Sequence, residues 1–161
     1  MPERRKVFAF SENYYRSRSF FITNKADFSP IHAVDANRLV IGVQQNTLQQ
    51  RLVENDFHYQ HAKILTYTSY SEIVAALKKG TINVMLTEGL PGYALLKSPE
   101  GRELMIAGNY PSIDASLTDA CIAVHLDNRS LIPLINEALI QLQANGVYQR
   151  LLMRYFPDMN Y

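Results

Sequence analysis

Residues 67–88 read YTSYSEIVAALKKGTINVMLTE, and their pattern decides the fold. Ser69 followed three residues later by Glu72 marks a helix start, since the serine oxygen can accept from a free first-turn N–H and the glutamate can reach back. Ile73, Ala76 and Leu77 then recur at helical spacing. Lys78 and Lys79 fall in the last turn, where positive charge meets the carbonyl end of the helix, and Gly80 ends it. TINVMLTE (81–88) is a short apolar run of strand character that closes on a carboxylate.

The same alternation extends in both directions. RLVIGV (38–43) and AKILTYT (62–68) read as buried strands, and between them Asn46, with Gln49 three residues on, predicts a helix cap ahead of an apolar face at Leu48, Leu52 and Val53. LPGYALLKS (90–98) predicts a short helix and ELMIAG (103–108) a fourth strand. Strands interleaved with helices imply parallel pairing with helices over the sheet, so 38–118 reads as one α/β unit. ACIAVH (120–125) is a further strand. RSLIPLINEALIQLQANG (129–146) carries an apolar helical stripe at Leu131, Leu134, Ile135, Ala138, Leu139 and Leu142, closed by Gly146, and VYQRLLMRYF (147–156) is a last helix stopped by Pro157. The expected division is 1–37, 38–118 and 119–161.

Composition narrows the function. Sixteen Lys and Arg nearly balance fifteen Asp and Glu, for a net charge of +1, which gives no general attraction to nucleic acid or an anionic membrane. No nucleic-acid partner is expected. No stretch has the apolar length of a membrane span, and the basic N-terminus lacks the apolar run of an intact secretory leader. Cys121 is the single cysteine, set in a strand pattern that suits a small core residue better than a nucleophile. His58 and His61 have no third ligand at metal-site spacing, and there is no nucleotide-binding glycine loop or G-x-S-x-G. Neither a metal nor a cofactor is expected, and no catalytic residue stands out.

Two positions suit a ligand, because open α/β sheets bind beyond the carboxyl ends of their strands. In QQNTLQ (44–49), the backbone N–H groups of Thr47 and Leu48 open a helix and favour an anion, with Gln44, Gln45 and Asn46 beside them. Glu88, at the end of another strand, suits an ammonium group. Each alone also fits a bare helix cap or a solvated loop residue. Together they suit a zwitterion.

Four segments, taken in order, resemble one family. PERRKVFAFSENYY (2–15) is similar to the interlobe segment of the solute-binding proteins of polar amino acid ABC transporters, and LVIGVQQNTLQQ (39–50) to their glycine- and threonine-bearing turn. Residues 67–88 resemble the segment ending in their ligand-binding acid, and LINEALIQLQANGVYQRLLMRYF (134–156) their C-terminal helices. The resemblance implies a type 2 periplasmic-binding fold of two α/β lobes joined by crossing segments, with a complete second lobe and an incomplete first one. It implies that Arg4, six residues before Phe10, clamps a ligand α-carboxylate, that Thr47 adds backbone and hydroxyl donors, and that Glu88 takes the ammonium. Gln44, Asn46 and Leu48 complete the implied set. Asn46 stands where the family has glycine, Leu48 where it has a second threonine, and Glu88 where it has aspartate.

The implied partners are an amino acid, a transporter permease and whatever supplies the rest of lobe one; the implied location is extracytoplasmic. Uncovered apolar faces around Phe8, Phe20 and the tail helices lead to the expectation of a homo-oligomer or of elements exchanged between copies. Two other readings follow from the same resemblance: a cyclohexadienyl or arogenate dehydratase-like enzyme with Glu88 as general acid, and a ligand-sensing or non-binding remnant.

Overall fold

The structure is a computed structural model and describes residues 2–25, 37–111 and 118–155. In chain order its elements are α1 (Pro2–Arg5), β1 (Phe8–Arg16), β2 (Ser19–Thr23), β3 (Val40–Gln44), α2 (Leu48–Asn55), β4 (Lys63–Tyr67), α3 (Tyr70–Lys78), β5 (Val84–Glu88), α4 (Gly89–Lys97), β6 (Met105–Asn109), β7 (Asp119–His125), α5 (Ile132–Ala144) and α6 (Val147–Tyr155). They form two units: residues 2–16 with 118–155, and residues 17–25 with 37–111.

The larger unit is a five-stranded sheet in the order β4-β3-β5-β2-β6. β3 pairs in parallel with both β4 and β5, while β2 runs antiparallel between β5 and β6. The sheet is therefore mixed rather than purely parallel. Ser19–Thr23 belongs to it, so the boundary falls after Arg16 and not at residue 37. Phe20, expected on an uncovered face, is 2% exposed. The physical reason is local: all five residues of β2 are buried, as a strand covered on both faces and paired on both edges requires.

Strand periodicity sorts the core into two layers. Ile41, Val43, Val84, Leu86 and Phe21 face one side, where Val53 and Leu52 of α2 and the ring of Tyr59 cover them. Phe20, Ile22 and Met85 face the other, against Ile73, Ala76 and Leu77 of α3 and Tyr93, Leu95 and Leu96 of α4. The start of α3 follows the sequence signal: Ser69 accepts from the Glu72 N–H at 3.3 Å. The Glu72 carboxylate reaches one residue further back than a standard capping box, accepting from the Thr68 N–H at 2.9 Å and from its hydroxyl at 2.8 Å. Gly80, at φ +74°, ends the helix in a conformation that costs other residues strain.

In the smaller unit β1 and β7 form an antiparallel ribbon with a bulge between Phe10 and Asn13. Ser11 bridges the irregularity: its hydroxyl accepts from the Ile122 N–H at 2.9 Å and donates to the Glu12 carbonyl at 2.7 Å. The Glu12 N–H donates to Asn136 Oδ1 at 2.9 Å, and the Tyr148 hydroxyl donates to the Tyr14 carbonyl, tying both tail helices to β1. Arg16 closes the ribbon on Asp119 at 2.8 Å. Cys121 is half-buried rather than core. No residue of α5 or α6 is buried, and Leu134 and Ile140 are 62% and 63% exposed. The expected helix stop at Pro157 lies outside the described residues.

One polar contact anchors the turn after α2. Tyr110 donates to Asp56 Oδ2 at 2.6 Å, and Asp56 Oδ1 accepts from the His58 N–H at 2.9 Å, next to a cluster in which Phe21, Tyr59 and Tyr110 stack with centroids 5.5–5.9 Å apart. Burial works to raise the Asp56 carboxyl, but hydrogen bonds from Tyr110 and His58 outweigh it and hold the group below the usual range. Burial and then Asp56 itself push the Tyr110 phenol far up. A lowered carboxyl stabilises the fold above the unfolded-state pKa, and this stability is lost as pH falls through the folded-state value. Tyr110→Phe should therefore cost about 1–3 kcal/mol at pH 7. In urea unfolding its deficit should shrink towards pH 3; an equal deficit at both pH values would refute the charge-assisted bond.

Candidate functional site

β3 and β5 are parallel neighbours, with Ile41 level with Val84 and Gly42 with Met85. Their carboxyl ends therefore lie at one edge, about 4.8 Å apart. From that edge the chain leaves β3 for α2 on one face and leaves β5 for α4 on the other. Such a divergence opens a crevice at the strand ends, the place where open α/β sheets hold ligands.

The turn after β3 is tightly bonded. Gln45 N–H donates to the Tyr67 carbonyl at 2.9 Å and Gln44 Nε2 to the Thr68 carbonyl at 3.2 Å, locking the ends of β3 and β4 together. Asn46 sits at φ +61°, in the left-handed region that glycine and asparagine tolerate, and its N–H donates to Gln50 Oε1 at 2.8 Å. The helix cap is Thr47, not Asn46. Its Oγ1 accepts from the Gln50 N–H at 3.3 Å and donates to the Gln44 carbonyl at 2.7 Å. With its proton so directed, the threonine hydroxyl is not the free donor the resemblance implies. The N–H groups of Thr47 and Leu48 are different: no described residue accepts from them. α2 has no acid in its first turn, so the positive end of its dipole stands unneutralised beside those donors. Behind the turn, buried Gln49 donates from Nε2 to Ser19 Oγ at 3.2 Å, fixing α2 to β2.

Across the crevice Glu88 ends β5 and caps α4 by position only. Its backbone is extended, at φ −71° and ψ 153°, and its side chain makes no capping bond. The residue is part-buried at the strand end that carries it. Two aromatic residues the sequence reading passed over share this edge. Tyr67 pairs with Gln44, and Tyr70, first residue of α3, places its hydroxyl 2.6 Å from Thr87 Oγ1. Burial pushes both phenols up, so both are neutral donors at pH 7. Strand-end position was the signal for Tyr67; nothing local in the sequence pairs Tyr70 with Thr87.

Gln44, Asn46, Thr47, Leu48 and Glu88 thus belong to one edge of one unit. Arg4 belongs to the other unit, on α1, with its side chain exposed, and neighbouring Arg5 lies 5.6 Å from the centroid of the Phe10 ring. His58 bonds Asp56 at 2.8 Å, and among the described residues no group of three His, Cys, Asp or Glu is arranged to hold a metal.

The profile of the bacterial extracellular solute-binding proteins, family 3, matches residues 1–158. The chain belongs to that family. It is 27% identical to ABC transporter arginine-binding protein 1 of Escherichia coli K12 over 98% of this chain and 63% of that one. The histidine-binding periplasmic protein of the same organism is 24% identical over 96% and 60%. The chain thus spans less than two thirds of the length of these curated relatives. Among solved structures, an arginine third transport system periplasmic binding protein from Legionella pneumophila is 25% identical with a TM-score of 0.74, covering 97% of this chain and 68% of that one. An amino acid ABC transporter substrate-binding protein from Streptococcus pneumoniae, solved with L-arginine, shares the fold at a TM-score of 0.76 and 21% identity, covering 98% and 64%.

The geometry of the turn predicts separable roles for the two parts of Thr47. Thr47→Ala removes the cap and should destabilise the fold by about 1–2 kcal/mol, while Thr47→Ser, which keeps the oxygen, should recover most of it. Guanidinium unfolding of the three proteins measures this; an unaffected alanine variant would show that the cap carries no stability.

Proposed function

We propose that this chain is a solute-binding module for a polar amino acid, of the ABC transporter substrate-binding type, acting outside the cytoplasm. The observation that carries the reading is the pairing, at the carboxyl ends of neighbouring strands, of two unbonded N–H groups at the start of α2 with the Glu88 carboxylate at the start of α4. The first suits a carboxylate and the second an ammonium, which are the two charged ends every free α-amino acid carries. Tyr67 supplies an apolar ring with a neutral hydroxyl at the same edge. Arg4 is assigned by motif resemblance alone: a guanidinium suits a bidentate bond to a ligand carboxylate.

The relatives are arginine-, histidine- and lysine/arginine/ornithine-binding proteins, which makes basic amino acids the first candidates for the ligand. All are binding proteins, and Glu88 is accordingly read as an ion-pair partner and not as a general acid. Affinity rises with the number of preorganised contacts, and a permease and further lobe-one structure are the partners the resemblance implies. The exposed apolar residues of α5 and α6 favour self-association as well.

Calorimetry and thermal shift with L-arginine, L-lysine and L-histidine test the reading. A ligand at about 100 times its Kd should stabilise the fold by about 2.7 kcal/mol. Glu88→Gln should weaken binding by about 10- to 100-fold, the worth of a hydrogen bond to a charged group, and Arg4→Ala by a similar factor. Silence with these three amino acids and with the uncharged and acidic polar ones would sink the proposal, and release of phenylpyruvate from prephenate would move it to the dehydratase reading. Sedimentation velocity over a wide concentration range should show mass rising with concentration; a constant monomer mass would refute self-association.

A further inference from the structure

Thr87 is 1% exposed and immediately precedes Glu88. Its Oγ1 lies 3.1 Å from the Glu88 carbonyl, which has no hydrogen to give, so Thr87 is the donor in that bond. A hydroxyl has one proton. The 2.6 Å contact between Thr87 Oγ1 and the Tyr70 hydroxyl must then run from tyrosine to threonine. The result is a directed chain, Tyr70 O–H to Thr87 Oγ1–H to Glu88 carbonyl, ending on the peptide that orients the Glu88 side chain. On its other side Glu88 is level with Ser19 of β2, which Gln49 holds. Glu88 has no side-chain cap bond of its own, so the backbone at this corner sets where its side chain begins.

We propose that Tyr70 is a positioning residue for the Glu88 carboxylate, acting through Thr87 to hold the strand end in the geometry that receives an ammonium group. The inference rests on the reading of Glu88 as the ammonium partner and adds a residue to it. Other observations agree. Burial, ahead of every other influence, pushes the Tyr70 phenol up, so it carries its proton at pH 7. Its ring packs with the core layer of Ile73 and Met85, which fixes the hydroxyl on a rigid support. Relayed hydroxyl bonds away from water also reinforce one another.

The test compares the chain with its Tyr70→Phe and Glu88→Gln variants by calorimetry, using L-arginine and 5-guanidinopentanoic acid, which is arginine without the α-amino group. Glu88→Gln should abolish the preference for L-arginine. Tyr70→Phe, which keeps the ring, should cut that preference about tenfold, the equivalent of about one buried hydrogen bond. A merely structural tyrosine would weaken both compounds alike. Tyr70→Phe with an undiminished preference, beside a Glu88→Gln variant that has lost it, overturns this inference and leaves the binding proposal standing. A preference that survives Glu88→Gln overturns the assignment of Glu88 as the ammonium partner, and this inference with it.

A ligand-free measurement decides the clamp independently. Hydrogen exchange at the Glu88 and Gly89 amides should accelerate several-fold in Tyr70→Phe while the α3 amides stay protected. Unchanged exchange would overturn the inference even if the wild-type chain bound neither compound. Thr87→Val breaks the same relay from its middle and must reproduce both effects.

Discussion

Parallel pairing of β3 with β4 on one side and β5 on the other is the constraint on which the larger unit depends. Because β3 is first in the chain and central in the trio, the connection from β3 and the connection from β5 leave for opposite faces of the sheet. Two consequences follow at once. Helices cover both faces, which buries Ile41 and Val43 on one side and Met85 on the other to 0% exposure. The two turns diverge at the carboxyl edge, the place where open α/β sheets hold ligands. Core and candidate site are products of the same topology.

The insertion of β2 completes that arrangement. It covers the open edge of β5, and Ser19 meets Glu88 in register while its side chain meets Gln49 of α2. A single short strand thereby supports both halves of the candidate site from behind. An unpaired β5 edge would leave backbone groups of the Glu88 corner to water and free to move. β6 does the same for β2, and the Tyr110 ring that follows β6 returns under the sheet to hold Asp56.

How much of this was legible depended on whether the signal was local. The start of α3 at Ser69 and its end at Gly80 were legible because caps and glycine stops are properties of neighbouring residues. Glu88 at a strand end was legible for the same reason. β2 was misplaced: Phe20 was read with the first lobe, on an uncovered face, because which sheet buries SFFIT is decided by residues 60 and more positions away. Thr47 and Asn46 show the limit at finer scale. Both are acceptable cap residues, and the left-handed backbone of Asn46, which hands the cap to its neighbour, is a property of the turn as folded. The Tyr70–Thr87 contact joins a helix start to a strand end and has no signature in either segment.

The turn after β3 also shows how the proposed binding edge can tolerate different side chains. Asparagine in place of glycine at 46 is tolerated because the position needs a left-handed φ, and it is found there at +61°. Leucine in place of threonine at 48 removes a hydroxyl, yet the turn presents N–H groups, which every residue except proline carries. The Thr47 hydroxyl, whose proton points at the Gln44 carbonyl, serves the turn's own geometry. The anion-favouring half of the site is therefore a property of backbone shape, held by Gln44, Thr47 and Gln50. The other half depends on a single side chain, Glu88, whose reach and direction depend on the corner beneath it. In the proposed site the carboxylate end would therefore rest on backbone and the ammonium end on one side chain, so discrimination between ligands should be lost first where Glu88 is held.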